Sequence, residues 1–206
     1  MTTFGVEAEP RRPGRPRSEK SQRAILAAAG DLLRERPLSE ISMDAVAERA
    51  GASKATIYRW WPSKELLALD AMFSEWASPL PHDIDKGTLR DDLRALVLPW
   101  VRRLRSAPFG RVVAALTVQL HNDRAFREAY QTRFVEPRRA PGRVAFERAA
   151  KRGEIAADTD VDLALDMLYG PIYHRLLHGH APLTERFAQQ VVDAVVAAIS
   201  SGGVRT

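Results

Sequence analysis

With 206 residues, 45% of them hydrophobic, the chain is long enough to bury one large core or two smaller ones, which excludes a disordered tail. It contains no cysteine, which excludes disulfide scaffolds and thiolate metal sites and suits a reducing compartment. The net charge of +5 and pI near 9.9 fit an anionic partner without naming one.

No run of about 18 apolar residues occurs, and Arg11, Arg12, Arg15 and Arg17 stand where a signal-type hydrophobic stretch would lie. The expectation is a soluble, cytoplasmic protein with no membrane partner. Charge is unevenly spread. Residues 10–23 hold six basic side chains against Glu19, residues 86–152 hold 16 Lys/Arg against 6 Asp/Glu, and residues 153–206 reverse this with 3 against 7. Solvated helix faces are the plain explanation of that asymmetry.

Helical spacing recurs from end to end, without internal repeats or strict alternation, so the fold class is all-α. Residues 1–17, rich in Pro, Gly and Arg, read as a flexible arm. A first helix is predicted from about Ser21 to Arg36, with Ile25, Leu26, Ala29, Leu32 and Leu33 on one face, and Pro37 ends it. Ser42 is a natural N-cap for a short second helix that turns Val46, Ala47 and Ala50 inward, and Gly51 allows a sharp turn. Ser53 caps a third helix of about seven residues, stopped by Pro62. Ile57 and Trp60 are its expected inward residues. Ser63 then caps a fourth helix with the stripe Leu66, Leu69, Phe73 and Trp76.

The turn-rich segment from Ser78 to Gly87 is the expected boundary. Beyond it, Thr88 and Asp91 resemble a capping box, and Leu89, Leu93, Leu96, Val97, Trp100, Val101 and Leu104 keep the helical period through Pro99. Pro137 and Pro141 leave open whether the helix over 127–152 is continuous. A further stripe runs through Val161, Leu165, Leu168, Tyr169, Ile172 and Leu176. Thr184 can cap a last helix whose Phe187, Val191, Val192, Val195, Val196 and Ile199 make an apolar surface too wide for one stripe.

Residues 42–60, SMDAVAERAGASKATIYRW, carry a capped helix, a glycine turn and a second capped helix, with small residues where two helices approach. This is the helix-turn-helix pattern, whose second helix fits a DNA major groove. Ser53, Lys54, Thr56, Tyr58 and Arg59 give that helix a face of hydrogen-bond donors with no acid among them. Any helical hairpin can use a glycine turn, so the donors are the informative part.

The stretch from Arg23 to Ala71 resembles the DNA-binding domain of TetR/AcrR regulators, most specifically AGASKATIYRWWPSKELL at Ala50 to Leu67, where Trp61 replaces the family's usual Phe. The resemblance implies that Tyr58 and Lys64 anchor phosphates, and Ser42 and Ser53 sit at helix N-termini able to present N–H groups to phosphate. Lys54, Thr56 and Arg59 are the candidates for base edges. In the arm, Pro13-Gly14-Arg15-Pro16-Arg17 resembles the minor-groove peptides called AT-hooks, an extended chain inserting Arg15 and Arg17, with a solubilising tail as the alternative.

GTLRDDLRAL at Gly87 to Leu96 and LYGPIYHRLLHGHAPLTERFAQQVVDAVVAAI at Leu168 to Ile199 resemble one subset of the family's C-terminal domains. The implied organisation is a basic arm over 1–20, a helix-turn-helix domain over 21–66 and a helical ligand-binding and dimerisation domain over 67–206. By similarity the last two helices form a homodimer interface, for which Tyr169, Ile172, Val191, Val192, Val195, Val196 and Ile199 are the candidates. A small-molecule effector among the middle helices would meet Trp76, Trp100, Phe109, Gln119, Phe134, Tyr169 or His174, with core packing the competing role for each. The Arg excess over residues 102–152 hints at an anionic effector or a carboxylate-bearing lipid, with solvated helix faces the plainer explanation.

The implied function is a repressor that binds a double-stranded, palindromic operator and is released by an unidentified effector. A non-sensing architectural DNA-binder and a helical-bundle enzyme are the alternatives. No catalytic motif or cofactor loop is present in the sequence. His174, His178 and His180 lack a nearby acid to complete a metal site, and Gly179 interrupts their helix, so no metal is expected.

Overall fold

The computed structural model describes residues 15–76, 84–200 and 202–204; the side chains of residues 15–18 and most of the Ser78–Gly87 boundary segment lie outside that description. The first helix, α1 (Arg15–Glu35), begins six residues before the predicted start. Proline in a first helical turn loses no hydrogen bond, so Pro16 does not stop α1 from extending back through Arg17. The arm expected over 1–17 is corrected in that part. A single 3₁₀ turn over Leu38–Glu40 follows Pro37.

The next two helices, α2 (Met43–Ala50) and α3 (Lys54–Trp60), are capped as their sequences require. The Ser42 hydroxyl accepts from the Ala45 N–H at 3.1 Å, and that of Ser53 accepts from the Thr56 N–H at 3.2 Å. Gly51 joins them at φ 60, a left-handed conformation that costs a residue with a Cβ about 1 kcal/mol or more. Ile25, Leu32, Leu33, Val46, Ile57 and Leu67 close a core beneath them, while Ala50 is only partly buried.

The expected inward role of Trp60 is overturned. α3 ends at Trp60, which is 40% exposed, and the chain becomes extended at Trp61, which swings that indole into the core at 2% exposure. The fourth helix, α4 (Lys64–Trp76), packs on α1 and crosses the boundary drawn at 66 without a break.

The remaining elements are α5 (Leu89–Arg105), α6 (Phe109–Gln119), α7 (Arg124–Tyr130), α8 (Glu136–Lys151), α9 (Val161–His178) and α10 (Glu185–Ser200). Thr88 caps α5, accepting from the Asp91 N–H at 3.2 Å and donating its hydroxyl to the Asp91 carboxylate at 2.9 Å. α5 runs on through Pro99.

Between α7 and α8 a wide π-helical turn over Gln131–Val135 keeps the chain helical from Arg124 to Lys151. That turn holds the Arg133 carbonyl, four residues before Pro137, which the proline ring would crowd in a regular helix. The continuity left open in the sequence is thereby resolved.

α10 lies on α5 and α9. Ile172, Val191, Val192, Val195 and Ile199 are buried within the single chain, Val196 is partly buried against the same core, and Tyr169 turns inward. The apolar band on α10 is wide because it has two neighbours in its own subunit. α9 is the helix with apolar residues on opposite sides, since Leu163 and Leu177 remain 44% and 41% exposed while Leu165, Leu168 and Ile172 are buried.

The charge asymmetry along the sequence becomes pairing between helices. Arg90 and Arg94 meet Asp193 at 2.7 and 2.9 Å, Arg102 grips Glu185 with two bonds, and Arg139 reaches Asp162 and Asp166. The basic middle segment and the acidic end thus hold each other.

Candidate nucleic-acid interface and cavity

Ile57 anchors α3 from below, so the opposite side of this short helix faces out. Ser53, Lys54, Tyr58 and Arg59 are exposed and Thr56 is half-buried. The Lys54 ammonium meets the Asp44 carboxylate of α2 at 2.6 Å, and this hydrogen bond raises the lysine's pKa above its ordinary value. Both side chains are well exposed, a setting in which an ion pair contributes little, so the pair opens at small cost. Thr56 shares a 2.8 Å hydrogen bond with the Ser53 hydroxyl. Arg59 has its guanidinium over the Trp60 ring at 5.8 Å and makes no ion pair among the described residues. Of the three base-edge candidates it is therefore the most available.

Ser42 is exposed beside α2, and Tyr58 is 50% exposed. Lys64 behaves differently from the expected phosphate anchor: its ammonium donates to the Leu38 and Ile41 carbonyls at 3.2 and 3.5 Å, closing the 3₁₀ turn. Arg15 and Arg17 have helical backbone, whereas a minor-groove peptide needs an extended one; Pro13 and Gly14 lie outside the described residues.

Three arginines fasten the two halves of the chain together. Arg103 donates to the Trp76 carbonyl at the end of α4, and Arg111 donates to the Leu33 carbonyl at 2.8 Å, near the end of α1, where exposed carbonyls favour a cation. Arg133, in the π turn, meets Asp70 of α4 at 2.7 Å. The other Asp70 oxygen accepts from the Trp61 indole N–H at 2.8 Å. One carboxylate therefore joins the end of α3 to the π turn.

Behind that turn lies a cavity of about 200 Å³ lined by Thr117, Leu120, Tyr130, Val135, Arg138, Arg139, Tyr169 and Tyr173. Of the effector-contact candidates, only Tyr169 lines it. Trp100, Phe109 and Phe134 pack edge to face as core, and Trp76 sits at the junction under Arg103. Gln119 accepts from the Asn122 amide at 3.1 Å. His174 is exposed, its ring 4.5 and 4.9 Å from those of His178 and His180; among the described residues no group of His, Cys, Asp or Glu is arranged to hold a metal.

The missed cavity residues had a periodic signal. Tyr130 and Phe134 precede Arg138 at steps of four, and Tyr169 and Tyr173 are four apart on α9.

A capped two-helix unit with an exposed donor face, carried on an all-helical body, defines a helix-turn-helix DNA-binding transcription regulator. Residues 25–71 match the model of bacterial regulatory proteins of the tetR family, and residues 83–195 match the Tetracyclin repressor-like C-terminal domain. The chain belongs to the TetR family, whose members are transcriptional regulators and not enzymes.

It is 35% identical over 179 residues to the uncharacterized HTH-type transcriptional regulator YdeS of Bacillus subtilis, covering 87% of this chain and 89% of that one. It is 33% identical over 189 residues to the DNA-binding transcriptional repressor TetR of Mycobacteroides abscessus, covering 92% and 98%. The crystal structure of the TetR family transcription regulator SCO0332 superimposes with a TM-score of 0.71 at 31% identity, covering 87% and 98%. Among the described residues no helix is long and apolar enough to cross a membrane.

Proposed function

We propose that the chain is a ligand-responsive repressor that binds a two-fold symmetric operator as a dimer and is released when a small molecule fills the cavity beside the π turn. The observation that carries this reading is the Asp70 junction. The π turn supplies Val135 to the rim of the cavity, next to Tyr130 at the end of α7, and Arg133 to Asp70, and Asp70 in turn holds Trp61 at the end of α3. A ligand that favours one arrangement of the turn shifts the position of α3 by its differential affinity, with a coupling of about 1–3 kcal/mol.

Dimerisation is supported by the outward side of α9, where Leu163 and Leu177 flank Gly170, a site open enough that a Cβ would meet nothing within 4 Å. Ala194 and Ala197 continue the surface on α10. A two-fold pair joined there would set two copies of α3 about 34–36 Å apart, one turn of DNA. Repression is supported by the relative named a DNA-binding transcriptional repressor. Action on chromosomal DNA implies the cytoplasm.

The test is a gel shift on the promoter flanking the chain's own gene, with sedimentation of the protein alone. A specific shift by a dimeric protein, reversed by a small molecule, is expected. Specific binding that no small molecule reverses would leave an architectural DNA-binder, and a monomer at micromolar concentration would remove the dimer.

A further inference from the structure

Arg103 and Arg138 both lie over aromatic rings with an unmatched Nε and no carboxylate partner among the described residues, but only Arg138 lines the cavity. Its guanidinium lies 4.0 Å from the centre of the Trp100 ring and 3.8 Å from that of Phe134, and one of its nitrogens donates to the Phe134 carbonyl at 2.6 Å. Its Nε is buried with no hydrogen-bond partner, and no carboxylate pairs with it among the described residues. Trp100, stacked on the same guanidinium, leaves its own Nε1 buried and unmatched. Buried N–H donors are satisfied in the great majority of cases and buried charges are paired, so the unmatched Nε of an unpaired cation marks a place that lacks an acceptor.

The cavity supplies room for that acceptor. Arg138 lines it beside Tyr130, Tyr169 and Tyr173, with Thr117, Leu120 and Val135, and with Arg139, whose charge is already taken up by Asp162 and Asp166. The Tyr169 hydroxyl donates to the Arg138 carbonyl at 3.2 Å, and that of Tyr130 shares a hydrogen bond with Thr117 at 3.3 Å. Burial pushes the Tyr130 and Tyr169 phenols up to about 12 and Tyr173 higher still, so all three stay protonated and offer donors rather than negative charge. A planar guanidinium accepts a carboxylate through two parallel bonds, and phenol rings favour a flat ring against them. A dry apolar cavity of about 150 Å³ accommodates benzene, so about 200 Å³ suits a single ring with a small substituent.

Resting on the reading of this cavity as the effector site, we propose that its ligand is a small aromatic acid bound as the carboxylate anion, with Arg138 as the group that selects the charge. The carboxylate sits against the guanidinium, and the ring lies among Tyr130, Tyr169 and Tyr173. Because the hydroxyls stay neutral, affinity for such an anion is constant between about pH 6 and 9, well below the phenol values.

The test is calorimetry on the full chain with 4-hydroxybenzoate and cinnamate, their uncharged amides, octanoate and inorganic phosphate. In parallel, each compound is tested for release of the promoter fragment. The expected result is that each aromatic acid binds at least tenfold tighter than its amide and tighter than octanoate or phosphate. Arg138→Gln should remove at least tenfold of the acid's affinity and leave the amide's unchanged, and Arg138→Lys should fall between. The acid-against-amide comparison on the unmodified chain needs no variant to fold.

Amides binding as well as acids, or neither aromatic acid binding at all, would overturn the proposal. Octanoate binding as tightly as the acids would overturn the aromatic part. Acid binding that leaves the DNA complex intact would sustain the anion site and remove the effector role. Release of DNA by an amide with no preference for the acid would keep the ligand-responsive regulator and overturn the ligand class.

Discussion

Replacing Asp70 by Asn tests whether one carboxylate joins α3 to the helical body. The Asp70 carboxylate accepts from the Trp61 indole at 2.8 Å and meets Arg133 at 2.7 Å, with the Asp70 side chain 21% exposed and Arg133 46% exposed. A hydrogen bond to a charged acceptor contributes about 1.5–3 kcal/mol, roughly twice a neutral one, and the amide oxygen of Asn keeps the neutral share. The loss at Trp61 is therefore about 1 kcal/mol. The Arg133 pair is half in solvent and adds about 0.5 kcal/mol. Asp70→Asn should cost about 1.5 kcal/mol, lowering the urea midpoint by about 0.5 M with an unchanged slope.

Double-mutant cycles at fixed protein concentration separate the two contacts. Trp61→Phe with Asp70→Asn should show a coupling of about 1 kcal/mol, and Arg133→Gln with Asp70→Asn about 0.5 kcal/mol. Additivity within about 0.3 kcal/mol in both cycles would mean that Asp70 transmits nothing between the cavity and α3, and the release mechanism would need another route.

Leu163→Glu places a charge on the exposed side of α9 without touching the core, and should convert the dimer to monomer by light scattering while leaving helicity intact; an unchanged mass would move the interface elsewhere. Gly110→Ala sets a Cβ 1.9 Å from the Leu104 carbonyl oxygen, a backbone atom that cannot step aside, so it should cost several times the about 1 kcal/mol typical of a point change, read as a fall in Tm.

Hydrogen bonds from Arg139 and then Arg143 hold the Asp162 carboxyl below the usual range. A lowered folded pKa contributes stability above the unfolded value, near 4, that is lost as pH falls through the folded one. The Tm gap between the unmodified chain and the variant with Arg139→Gln and Arg143→Gln should be present at about pH 7 and narrow as the pH falls below about 4, the ordinary carboxylate value. A gap that is constant with pH would assign it to packing.

The helix-turn-helix was legible because local chemistry determines it. Ser42 and Ser53 cap, Gly51 adopts the left-handed conformation, and Ile57 faces the core, each through groups within a few residues. Trp60 was expected inward but is exposed because α3 ends there, and a change of backbone direction carries no periodic signal. The cavity escaped because its arginine is paired with rings rather than acids, and the aromatic residues chosen for it pack on one another instead. A valine-rich face on α10 is covered by α5 of the same chain, which composition does not reveal.

If the exposed side of α3 reads base pairs as one of a symmetric pair, selection of binding sites from random duplexes will reveal it. Run at one salt concentration with the unmodified chain and with Arg59→Ala, the account predicts a two-fold symmetric site from the first. The second should lose base preference at one position in each half-site, with binding weaker by about 1–3 kcal/mol. An asymmetric site, or an identical preference from both proteins, would contradict it.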